Sequence, residues 1–118
     1  MEAGLARSSR LGRITISNDA IAQIVAATAL ECYGVVGLKG SLRGRLAPGR
    51  AARARGIVVG ADGDAVTVGV HVVVEHGLNL AEVAATVRNR VAYEVERLTR
   101  LPVGTVDVHV DDVRAMGR

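Results

Sequence analysis

Residues Ala65–Glu75 read A-V-T-V-G-V-H-V-V-V-E. Val66, Val68, Val70, Val72 and Val74 fall on every second position. A strand turns successive side chains to opposite faces, so these five valines form one apolar wall. The other face carries Ala65, Thr67, Gly69, His71, Val73 and Glu75, which are mostly small or polar. A β-branched run with one wet face predicts the central strand of a two-layer domain. The rest of the chain then has to cover that wall or pair beside it.

On the C-terminal side, His76-Gly77 ends the strand and Asn79 caps a helix predicted over Leu80–Arg100. Leu80, Val83, Ala84, Val87, Val91, Val95 and Leu98 form its apolar stripe. Glu82, Thr86, Asn89, Arg90, Arg97 and Arg100 lie on the far side, with Glu96 and Arg100 spaced to pair. Tyr93 also points away from the stripe and is a candidate contact residue. Pro102 stops the helix, and Thr105–Asp111 alternates as a last strand with Val106, Val108 and Val110 inward. Residues 112–118 are predicted to fray.

On the N-terminal side, Ala61-Asp62-Gly63-Asp64 carries the Asp-Gly hairpin signal. It joins the wall to a short strand at Gly56–Gly60. Gly34–Leu38 is a second short apolar strand, bounded by glycine but without the Gly-Lys-Ser/Thr of a phosphate loop. Asp19–Cys32 predicts the first helix, with Ser17, Asn18 and Asp19 at its start. Ile21, Ile24, Val25, Thr28 and Cys32 follow its inward stripe, which makes Cys32 a core thiol. The opposite side, with Ala22, Ala26, Ala27 and Leu30, is nearly as apolar. Such a back face predicts a subunit or partner contact at Ala22, Ala26 and Leu30, to which Tyr93 is added. Gly12–Ile16 alternates as a short strand, and residues 1–11 are predicted to be disordered.

The 118 residues bound one domain, residues 12–111, with a basic loop at 39–55. The chain has no Trp or Phe and two Tyr, so its core is built from Val, Ile, Leu and Ala. The formal charge is +3. Lys39, Arg43, Arg45, Arg50, Arg53 and Arg55 lie in one segment without an acidic residue. Removing those six charges from +3 leaves −3, so the basic character belongs to the loop. Its arginines are candidate contacts for an anionic partner, nucleic acid included. No aromatic residue stands among them to stack on a base, which disfavours nucleic acid. A single cysteine excludes an intrachain disulfide, and no long apolar run exists to span a membrane. A cytoplasmic protein is expected.

His71 and His109 approach each other if the long and last strands are neighbours. With Asp107 or Glu75 they would offer a two-histidine, one-carboxylate set. Nothing nearby supplies the outer hydrogen bonds or the pocket that a metal needs. Asp62 and Asp64 are too few oxygens for calcium. No catalytic or metal-binding residue and no cofactor is predicted.

Three segments read together. They are G-R-I-T-I-S-N-D-A-I-A-Q-I-V (12–25), V-V-V-E-H-G-L-N-L-A-E-V-A (72–84) and V-E-R-L-T-R-L-P-V-G-T-V-D-V-H-V (95–110). In this order they resemble the alkaline-shock, Gls-type family of bacterial envelope stress response proteins. The resemblance implies a small, non-enzymatic cytoplasmic protein of α+β fold that self-associates. It also implies membrane association through a separate anchoring protein, as in some members. The arginine-rich 39–55 segment departs from the family pattern. The expected architecture is a two-layer α+β sandwich, a mostly antiparallel sheet of four to five strands with two helices on one face.

Overall fold

The computed structural model describes residues 4–9, 11–39 and 56–115. The predicted wall forms as β5, Ala65–Glu75, and its five alternating valines are almost wholly buried. Before it in the chain come β1 (Gly4–Ser9), β2 (Gly12–Ser17), α1 (Asn18–Glu31), β3 (Val35–Leu38) and β4 (Ile57–Asp62). After it come α2 (Leu80–Thr99) and β6 (Val103–Arg114). The fold is α+β, with an open, mostly antiparallel sheet and two helices. β3 and β4 pair antiparallel with β5, whereas β6 runs parallel to it. A parallel neighbour needs a long crossover, and α2 supplies it.

β3 meets Val72–Val74 and β4 meets Ala65–Val70, so both lie along one edge of β5. Opposite His71 the two join. The Lys39 N–H donates to the His71 carbonyl at 3.1 Å, and the His71 N–H donates to the Gly56 carbonyl at 2.8 Å. Lys39 and Gly56 together thus do the work of a single residue in one antiparallel strand. The chain leaves and returns at that point, with residues 40–55 between. A side chain at Gly56 would sit 3.1 Å from both the His71 oxygen and the Lys39 nitrogen, backbone atoms of the rung that would have to shift to admit it. The β4–β5 turn pairs Asp62 with Ala65 and places Gly63 at positive φ, as a two-residue hairpin requires.

Both helices start as their sequences predict. The Ser17 hydroxyl accepts from the Ala20 N–H at 3.0 Å, and the Asn79 side chain accepts from the Glu82 N–H at 3.1 Å. α2 buries Val83, Val87, Val91, Val95 and Thr99. Leu98 is exposed, contrary to the expected stripe. The buried line steps by four residues, so it reaches Thr99, and Leu101 beyond the cap fills the core there. The Thr99 hydroxyl is satisfied, donating to the Val95 carbonyl and accepting from the Leu101 N–H. Arg100 ends the helix in the left-handed conformation before Pro102.

Two terminal expectations are corrected. Gly4–Ser9 is a strand, not disordered, and pairs with β2 in a two-stranded hairpin separate from the main sheet. Asp112, Val113 and Arg114 continue β6 rather than fraying, because they pair with Val73, Val74 and Glu75.

Candidate interaction surfaces

α1 packs on both of its apolar sides. Ile21, Val25, Thr28 and Cys32 are buried as expected, and burial pushes the Cys32 thiol pKa up, which keeps it protonated. The predicted contact residues Ala22 and Ala26 are buried too, Ala26 to 1% exposure. They belong to this chain's own core and cannot form an outer contact. The cause is geometric. Asn18 lies on the same side of α1, and its amide donates to the Val59 carbonyl of β4 at 3.3 Å. That side therefore faces the sheet, where short alanines let the helix come close. Leu30 at 40% and Tyr93 at 63% exposure remain outward.

Between the helices runs an open groove of about 450 Å³, lined by Ile24, Ala27, Thr28, Leu98 and the Glu94–Arg97 pair. Arg97 donates to Glu94 at 2.7 Å, which accounts for an acid at the edge of the apolar stripe. Arg90 donates to Glu31 at 3.4 Å and links the two helices. Leu30, Leu98 and Tyr93 thus stand as exposed apolar groups among paired charges.

The sheet face that neither helix covers carries the histidines. β5 and β6 place His71 beside His109, with the rings stacked at 4.5 Å and 15° apart. The register slips between Val72 and Val73, which pair with Val110 and Asp112, so Asp111 is the extra residue. This bulge turns Asp111 toward His71, whose Nδ1–H donates to the carboxylate at 2.9 Å. That hydrogen bond, with help from the charges of His71, Lys39 and His109, holds the Asp111 pKa below the ordinary value. Of the residues weighed from sequence, Asp107 sits opposite Gly69 and Glu75 opposite Arg114, away from the pair. Stacked rings do not converge on one point, and no group of three ligands able to hold a metal forms among the described residues. The role of Asp111 escapes sequence reasoning because a bulge leaves no trace in alternation.

Lys39 is exposed at the edge of this face. Arg43, Arg45, Arg50, Arg53 and Arg55 lie outside the described residues. No helix among the described residues is long and apolar enough to cross a membrane.

The model of the alkaline-shock protein 23 family, described as having a cell envelope-related function, matches residues 6–115. This chain belongs to that alkaline-shock family. It is the family that the three quoted segments resemble. YloU of Bacillus subtilis (strain 168) is 31% identical over 110 residues, covering 90% of this chain and 92% of YloU. Spy1614 of Streptococcus pyogenes serotype M6 is 29% identical over 110 residues, covering 90% and 91%. Among solved structures, a variant of the MamM CTD superposes with a TM-score of 0.51 at 14% identity, covering 80% of this chain and 96% of that one. At that identity the likeness is one of fold. It shows that the two-layer arrangement recurs in this alkaline-shock family chain and in the MamM CTD.

Proposed function

We propose that this alkaline-shock family protein is a non-enzymatic component of the envelope stress response. It acts by self-association and by binding partners on the cytoplasmic side of the envelope. The observation that carries the reading is the outer side of the helix layer. There Leu30, Leu98 and Tyr93 present exposed apolar surface, and Leu98 also lines the open groove between the helices. The cell envelope-related description of the family supports the setting. A membrane-anchoring protein is the partner class that fits a chain without a spanning helix among its described residues.

The test is light scattering after size exclusion across concentration. Assembly is expected, and Leu30→Glu together with Tyr93→Ala is expected to lower the mass. A strict monomer at high concentration overturns the reading. The second reading, a nucleic-acid binder through Arg43, Arg45, Arg50, Arg53 and Arg55, draws on the concentration of charge in one insertion. It requires binding that falls steeply with salt and vanishes when those arginines are neutralised.

A further inference from the structure

The main sheet ends in two unlike edges. On the β4 side, Asn18 occupies the Val59 carbonyl, and the strand is broken between Lys39 and Gly56. On the other side β6 runs for 12 residues, and no strand among the described residues pairs with its outer edge. An open edge of that length is a template for another strand. Its side chains alternate. Asp107 and His109 are exposed on the uncovered face, while Val108 and Val110 on the helix side are only half-buried. Asp111 and Asp112 add two more acids near its end. Pairing two β6 edges antiparallel about His109 would set Asp107 against Asp111, which destabilises a ladder. The edge therefore selects against its own copy and favours a basic strand.

The chain carries such a strand. Residues 4–17 hold Arg7, Arg10 and Arg13 and no acid. β2 stands apart from the main sheet with β1 as its partner, and a lone two-stranded hairpin is only marginally stable in water. Ile16 packs at its root against the core, but Ile14 is 68% exposed and Leu11 97%. Arg13 and Thr15 point one way and Ile14 the other. A register that brings Arg13 to the acids of β6 brings Ile14 to its half-exposed valines. The hairpin is rooted at Ser17–Asn18, on the β4 side and so across the sheet from β6.

We infer that the open edge of β6 receives the β2 arm of a second copy of this chain, so that the sheet continues between subunits. This contact is a second one, apart from the helix-layer surface, and it rests on the self-association reading. The arm and the edge are different surfaces, so the contact is head-to-tail and builds a ring or a filament.

Three measurements on the full chain test the contact. Ile14→Glu is expected to weaken self-association at least tenfold, with the circular dichroism spectrum and melting temperature nearly unchanged because Ile14 is exposed. In a Cys32→Ala background, chains carrying Thr15→Cys are mixed with differently tagged chains carrying Asp107→Cys. Mild oxidation is expected to join the two kinds of chain, and a Tyr93→Cys partner to stay unjoined. Joining to Tyr93→Cys instead overturns the inference. So does a cross-link formed within one dilute chain that carries both Thr15→Cys and Asp107→Cys. If Leu30→Glu dissociates the protein and Ile14→Glu does not, the arm is refuted while self-association stands. A monomer at every concentration refutes both.

Discussion

The two helices cover the same valine wall by different means. α2 lays a single line of valines on the sheet and leaves its far side charged. α1 buries isoleucine and valine along one line and alanines along the adjacent one, so a broader arc is enclosed, while Ala20, Ala27, Leu30 and Glu31 stay exposed. A wide apolar arc therefore does not announce a partner. Where the side chains are alanines, it can mean that the helix sits close on its own sheet. The outer surface of the helix layer is then built from what both helices leave over, Leu30 from α1 and Tyr93 and Leu98 from α2.

Substitutions separate these two modes of packing. Ala26→Glu places an unpaired charge in the core and is expected to cost about 3 kcal/mol or more. Ala27→Glu, one residue on and exposed, is expected to change stability by less than about 0.5 kcal/mol. Equal losses in urea unfolding would mean that α1 does not pack as described. In α2, Val91→Ala is expected to cost about 2 kcal/mol from lost burial and a cavity. Leu98→Ala should cost less than half of that, although periodicity puts both residues on one stripe. Ser17→Ala and Asn79→Ala each remove a cap and are expected to cost about 1 kcal/mol, read as a drop in melting temperature.

The smallest effect belongs to the sheet face that neither helix covers. The Asp111 pKa is held below its ordinary value by its hydrogen bond to His71. A depressed carboxylate contributes stability that is complete above its unfolded pKa and is lost as pH falls through the folded one. Asp111→Asn is therefore expected to flatten the acid limb of the melting-temperature profile below about pH 4 while leaving its shape near neutrality unchanged. An unchanged acid limb would separate Asp111 from His71 in solution.

Much of this arrangement is legible in the residues. The period-two valines of β5 and the period-four valines of α2 each meet one apolar surface, so local pattern and tertiary burial agree. Ser17, Asn79 and the Asp62-Gly63 turn announce themselves because their chemistry is local. What pattern cannot supply is which neighbour encloses an apolar side, since Ala22 and Ala26 look the same whether sheet or partner covers them. The last turn of α2 misleads for a related reason. Leu98 is the more apolar residue, but Thr99 lies on the buried line and finds two backbone partners. The direction of β6 and the bulge at Asp111 depend on pairing between strands far apart in sequence, and composition holds no record of that. The exposed Tyr93 is legible as an aromatic off the stripe.

The junction at Lys39 and Gly56 bears on how this scaffold tolerates change. Because the two ends meet at one rung, the pairing there does not depend on the length of the connection between them. Doubling the length of such an excursion costs only about 0.6 kcal/mol in closure entropy. A foreign peptide or epitope grafted there should leave the melting behaviour nearly intact, while Gly56→Ala, which disturbs the rung itself, should not.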